Sequence, residues 1–118
     1  MDDLENISIN VGAVGGTVVR PLFRVPVGFG GITLTNFWLH CGAAATSVIQ
    51  LVNLGTALGT AVSSVIGTLN GTMVANVQQA IAITTAYQAE GTWIGIKTLA
   101  GGSLDTVSIV TGEFAWGK

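Results

Sequence analysis

Apolar and polar positions alternate with period two along most of this chain. Ile7, Ile9 and Val11 are separated by Ser8 and Asn10. Ile32 and Leu34 alternate with Thr33 and Thr35, Ile94 and Ile96 with Gly95 and Lys97, and Val107 and Ile109 with Ser108. Successive side chains of a strand point to opposite faces, so this alternation predicts strands with one buried face. Val, Ile and Thr are abundant and suit a pleated surface. Glycines fall between these runs or at their edges, often about ten residues apart, which is the rhythm of an all-β sandwich or barrel. The pattern predicts strands over 6–11, 17–27, 31–40, 47–54, 62–66, 72–75, 80–87, 92–99 and 105–116. Segment 43–66 is ambiguous, because Val48, Leu51, Val52, Leu58, Val62 and Val65 also fit helical spacing.

Turn chemistry refines the picture. Asn70-Gly71 is the sharpest hairpin signal, since a type I′ turn needs positive φ at both central residues. Ala100-Gly101-Gly102-Ser103 reads as a turn between the last two strands. Pro21 and Pro26 flank an extended Leu22–Val25 piece, and a proline cannot donate to a ladder, so this piece is expected at an edge or in a crossing arm. The expectation is a single domain over 1–118, an all-β, jelly-roll-like antiparallel β-sandwich of about eight strands, with 1–20 as an N-terminal arm and 1–5 as a tail.

Charge then narrows the function. Between Arg24 and Glu90 the chain carries no Asp, Glu, Lys or Arg, and charged residues make up 8% of the whole, with a net charge of −2. Typical domains carry about 25%. Acid–base catalysis, metal ligation and phosphate binding draw on groups that this stretch lacks. No basic patch is present for nucleic acid. Mean hydropathy is +0.66. The most apolar run, 43–69, is nevertheless broken by Gln50, Asn53, Gly55, Gly59, Ser63 and Ser64 and has no flanking cationic anchors, so no membrane span is expected. The acidic start Met1-Asp2-Asp3-Leu4-Glu5 is unlike a secretory leader.

Candidate chemistry is thin. His40-Cys41 are adjacent and so face opposite sides of a strand, and no second Cys or His completes a zinc site. Glu90, Asp105 and Glu113 are the only acids beyond the tail; a glycosidase would need two of them together. The Gly55–Thr60 stretch lacks the lysine of a phosphate-binding loop. No catalytic residue, metal site or cofactor is expected. The weight falls on contacts instead. Phe37 and Trp38 face opposite sides if extended, one toward a core and the other toward an interface. Phe114 and Trp116 form a bulky stripe at the end of the chain. Arg20 and Arg24 share a side if their strand is regular, where they either pair with the acids of a neighbouring subunit or act as solvated edge charges. The candidate interface residues are therefore Arg20, Arg24, Phe37, Trp38, Phe114 and Trp116.

The segments Ala89-Glu90-Gly91-Thr92-Trp93-Ile94-Gly95-Ile96, Gly101-Gly102-Ser103, Thr106-Val107-Ser108-Ile109-Val110 and Gly112-Glu113-Phe114 resemble the last strands of small decoration, or cement, proteins of tailed-phage capsids. The Gly30-Gly31-Ile32-Thr33-Leu34 segment with the Gly-Thr-rich stretch after it resembles their middle. The likeness covers about 25–116 and is one of composition, without a diagnostic motif. It implies a jelly-roll β-sandwich made in the host cytoplasm and carried on the virion, a homotrimer whose partner is the major capsid protein. A carbohydrate- or receptor-binding module of a phage fibre or tail surface is the alternative, and a hydrolase the third.

Overall fold

A computed structural model describes residues 4–12, 14–15, 18–42, 45–59, 61–99, 103–104 and 108–118. All regular structure among them is strand: β1 (Glu5–Asn10), β2 (Val14–Gly15), β3 (Val18–Arg24), β4 (Ile32–Cys41), β5 (Ala45–Asn53), β6 (Ser64–Met73), β7 (Gln78–Ala80), β8 (Ala82–Ile83), β9 (Tyr87–Gln88), β10 (Trp93–Thr98), β11 (Ser103–Leu104) and β12 (Ser108–Trp116). Two antiparallel sheets pack face to face. One runs β1-β12-β4-β7, with β9 also on β4; the other runs β3-β10-β5-β6-β8; β2 and β11 form a separate pair. The pairing is nested. The first long strand pairs with the last, β3 with β10, β4 with β7, and β5 with β6. Segment 45–53, which also fitted a helix, is strand, and no helix among the described residues is long and apolar enough to cross a membrane.

The core forms where the alternating faces meet. Ile32, Leu34, Phe37 and Leu39 of β4, Ile49 and Leu51 of β5, Ile94 and Ile96 of β10, and Val110 and Phe114 of β12 are all buried. Each side chain of this size contributes about 1.5–3 kcal/mol relative to exposure. On β4 the apolar phase switches from even positions to odd ones between Leu34 and Phe37. A bulge accounts for the switch. Phe114 opposes Leu34 and Glu113 opposes Asn36, so Thr35 is the extra residue. A second bulge lies on β3 at Leu22, between the Pro21–Gly95 and Phe23–Ile94 pairs. β3, which contains Pro21, is an edge strand, the first of the two placements expected for this piece.

Two expected boundaries are corrected. Asn70-Gly71 is not a hairpin. It lies inside the ten-residue β6, opposite Val48 and Ser47, and the β5–β6 connection is 54–63. The ladder continues along all nine residues of β5, so pairing with a long partner overrides a local turn preference. Segment 80–87 is not one strand either. β7 pairs with β4 in one sheet and β8 with β6 in the other, and the chain changes sheet at buried Ile81, whose N–H donates to Phe37 O at 2.8 Å. The last two long strands, β10 and β12, belong to different sheets. Residues 100–102 of the expected turn lie outside the described residues, and Ser103–Leu104 pair with β2. The segment expected as an arm, 1–20, contains β1, β2 and the start of β3, each paired within the chain.

Close backbone packing tests this arrangement. A Cβ on Gly67 would collide with the Ala82 backbone oxygen of β8, whereas one on Gly59 would meet open space. Gly67→Ala should therefore destabilise by about 1–3 kcal/mol in urea unfolding, and Gly59→Ala should stay within about 0.5 kcal/mol of wild type. Equal effects would contradict the β6–β8 contact.

Candidate interaction surface

The strand directions fix which loops share an end. β4 begins and β12 finishes at the same end, since Ile32 opposes Trp116. The loop 25–31 joins β3 to β4 there. Asn53 opposes Ile94 and Ser64 opposes Asn53, so 54–59, 61–63 and the turn 89–92 lie at this end as well. Glu5 opposes Phe114, which brings Leu4 to the same end. Eight large apolar residues are exposed among the described residues. Six of them, Leu4, Val27, Phe29, Leu58, Val65 and Trp116, belong to this end; Val74 and Val77 belong to the other.

The aromatic part of this end is built from three elements. Phe29, 60% exposed on the 25–31 loop, stacks on Trp116 with ring centroids 4.8 Å apart and planes inclined by 35°. Trp116, 38% exposed, meets buried Phe114 edge to face at 5.3 Å. Phe114 thus anchors the stack in the core while Phe29 and Trp116 face solvent. Two hydrogen bonds tie Gly117 to the start of β4. Gly117 N–H donates to Gly31 O at 2.8 Å, and Thr33 Oγ1 donates to Gly117 O at 2.7 Å. Lys118 Nζ lies 5.3 Å from the Tyr87 ring centroid, within cation–π reach, and Tyr87 OH donates to Gly30 O at 2.9 Å. Gly31 has φ +88°, and a Cβ there would stand 2.5 Å from Gln88 O and 2.7 Å from Tyr87 Oη.

Glu90 is the latch of the loop. Its Oε2 accepts from Gly28 N–H at 2.9 Å and from Gly30 N–H at 3.1 Å. Both glycines have positive φ. These amides, Gly28 first, with that of Phe29, hold the carboxyl below its ordinary value against a smaller opposing desolvation. The single acid in this part of the chain therefore holds the exposed Phe29 loop in shape.

A polar network behind the latch positions its turn. Asn53, nearly buried, donates from Nδ2 to Gln88 Oε1 at 2.8 Å and to Thr92 Oγ1 at 3.1 Å, and its Oδ1 accepts from Gly55 N–H at 2.8 Å. Gln88, 2% exposed, donates from Nε2 to Thr85 O at 2.7 Å, and Thr92 Oγ1 donates to Ala89 O at 2.6 Å. Asn53 belongs to one sheet and Gln88 to the other. Among the described residues no buried side-chain N or O lacks a partner, so the network stiffens the end without an unsatisfied group.

The residues singled out from the sequence are spread over the molecule. Phe37, 1% exposed, is the core member of its pair; Trp38 is half-buried on the other face, opposite Thr111 and Ala80. Phe114 and Trp116 share a face, as expected, at the aromatic end. Arg20 and Arg24 do not share one. Arg20 opposes Ile96 and Arg24 opposes Trp93, three positions apart on β10, because the Leu22 bulge adds a residue between them. Arg20 Nη1 donates to Val11 O at 3.0 Å and Arg24 Nε to Gly91 O at 3.3 Å. His40 and Cys41 face opposite sides; buried Cys41 accepts from the Ser108 hydroxyl at 3.7 Å. Glu113 Oε1 accepts from Asn36 Nδ2 at 2.8 Å and Thr35 Oγ1 at 3.1 Å, far along the chain from the latch of Glu90; Asp2, Asp3 and Asp105 lie outside the described residues. Among the described residues no three of His, Cys, Asp and Glu gather where a metal ion could sit. No protein-family model matches this chain, and no curated protein matches it.

The latch makes a pH-dependent prediction. A carboxyl with a depressed folded-state pKa contributes while it is ionised, and its contribution is lost as pH falls through that depressed value. The Gly28 and Gly30 amide proton shifts in NMR should titrate together, with a midpoint below the ordinary carboxylate value of 4.5. Glu90→Gln should abolish that transition. A transition that survives the substitution, or one with a midpoint above 4.5, would place the hydrogen-bonding acid elsewhere.

Proposed function

We propose that the chain is a virion structural protein, a decoration or cement subunit that binds the outside of an assembled phage capsid. One observation carries the reading: among the described residues, six of the eight exposed large apolar side chains stand at one end of a sandwich poor in charge. Large exposed apolar surface on a folded domain marks a contact with protein or another apolar partner. With so little charge, covering this end costs little desolvation of ions. The antiparallel two-sheet sandwich with nested strand pairing supports this reading, since the resemblance implies a jelly roll, an architecture of that kind. In this reading the major capsid protein is the partner, the subunit associates as a homotrimer, and many weak contacts add up through avidity on a lattice.

A second reading has an observation of its own. The exposed Phe29–Trp116 pair offers an aromatic platform of the kind a carbohydrate- or receptor-binding module on a phage fibre or tail surface would use.

The two readings part in a co-sedimentation series with assembled particles, with free capsid subunits and with a glycan array. For a cement subunit, binding to particles should exceed binding to free subunits and change little between low and high salt, since salt screens charge contacts and not apolar ones. Phe29→Ser should weaken particle binding by about 2 kcal/mol if Phe29 is an anchor, while its exposed position limits the loss of fold stability to about 1 kcal/mol, the worth of its ring pair with Trp116. Equal affinity for free subunits, or a steep loss with salt, would overturn the capsid reading. Glycan binding without particle binding would replace it with the second.

A further inference from the structure

Among the described residues the edge strands of the two large sheets are unequal. β3 carries Pro21, a bulge and two arginines, the usual means of blunting an edge. β7 and β8 are three and two residues long. β1 is different. It keeps an unbroken six-residue register with β12, carries no proline or cation, and among the described residues pairs with no other strand. Its sequence from 6 to 10 is Asn-Ile-Ser-Ile-Asn, a palindrome centred on Ser8.

The hydrogen bonds show which groups this edge presents. Val11 N–H donates to Ser108 O at 2.7 Å and extends the β1–β12 register by one position. In an antiparallel ladder, pairs that exchange hydrogen bonds alternate with pairs that do not. Val11, Ile9, Ile7 and Glu5 therefore bond to β12, while the N–H and C=O groups of Asn6, Ser8 and Asn10 point away from it. The Ser8 and Thr111 hydroxyls, 3.1 Å apart, fit a pair of the closer, non-bonded type. Asn6, Ser8 and Asn10 are exposed.

We infer that β1 pairs antiparallel with β1 of a second copy of this chain, about a two-fold axis through Ser8. In that register Ser8 faces Ser8 and Asn6 faces Asn10 twice. All three outward residues then become bonded pairs, giving about six backbone hydrogen bonds. Ile7 falls opposite Ile9, so the core-side faces of the two sheets stay continuous. Glu5 falls opposite Val11, so no like charges meet; parallel pairing would set Glu5 beside Glu5. The palindrome makes the edge complementary to itself, which an isologous contact requires. The inference is independent of the capsid reading. A three-fold contact elsewhere would combine with this one into assemblies with an even number of chains.

Native mass spectrometry and oxidative cross-linking test the seam together. Wild type should show species with an even number of chains at micromolar concentration. Ser8→Pro should raise the two-fold dissociation constant at least tenfold with unchanged circular dichroism, because its lost N–H faces the seam and not β12. Ser8→Lys should do the same by setting two ammonium groups at the axis. Ser8→Cys should cross-link two copies on mild oxidation, since opposed Cα atoms about 5.5 Å apart suit a disulfide. Asn6→Cys should not, since its two copies stand about 14 Å apart along the strands. The only native thiol, Cys41, is buried. Monomer alone, a trimer as the largest species, unchanged masses for Ser8→Pro, or cross-linking of Asn6→Cys as fast as Ser8→Cys would each overturn the inference.

Discussion

Burial of one face of every long strand in a shared apolar layer is the constraint on which this molecule depends. With 8% charged residues, the chain has few ion pairs to specify its fold. Register must come from matching the apolar phase of each strand to its neighbours, since a one-residue slip would turn every buried side chain outward. The two bulges follow from that demand. On β4 the apolar positions change phase between Leu34 and Phe37, and the extra residue Thr35 restores the inward direction of Phe37, Leu39 and Cys41. On β3 the extra residue Leu22 keeps Phe23 opposite buried Ile94 and, as a by-product, sends the two arginines to different faces.

The apolar layer alone would leave the loops at its ends loose. At the aromatic end a second, polar layer is built on it. Asn53 and Gln88 reach from opposite sheets and meet at 2.8 Å, and with Thr92 they fix the turn that carries Glu90. Glu90 then ties down the loop that carries Phe29. The chain of dependence runs from core to network to carboxylate to exposed ring. Holding an apolar ring in one place before it meets a partner removes part of the ordering cost of association.

The strands were legible in the sequence because period two is a local signal. Ile7/Ile9, Ile32/Leu34, Ile94/Ile96 and the edge position of Pro21 all read correctly. What failed needed knowledge of partners. Asn70-Gly71 has ideal turn chemistry, yet β5 holds it in a ladder. The break at Ile81 exists because the chain changes sheets there, and nothing in the alternation Ile81-Ala82-Ile83 marks it. The Thr35 bulge did leave a trace, the phase jump from even to odd apolar positions. The Glu90 latch left almost none, because its amide partners are about sixty residues earlier. A lone acid ending a long uncharged stretch, with Gly28, Gly30 and Gly31 elsewhere, does not reveal that they meet.

The low charge also bears on how such a molecule avoids uncontrolled association. An uncharged β-sandwich is exposed to edge-to-edge aggregation unless its edges are closed. Here closure is uneven. Proline, a bulge and two arginines blunt β3, and brevity limits β7 and β8, while β1 is left long and regular. An open edge with a palindromic sequence is a restricted hazard. Two-fold pairing uses up both edges at once and cannot propagate, whereas a head-to-tail edge contact could extend without limit. Leaving one self-complementary edge open is therefore compatible with a defined assembly. Most of the apolar end, Phe29 and Trp116 above all, lies outside β1, so pairing along that edge would leave those rings exposed.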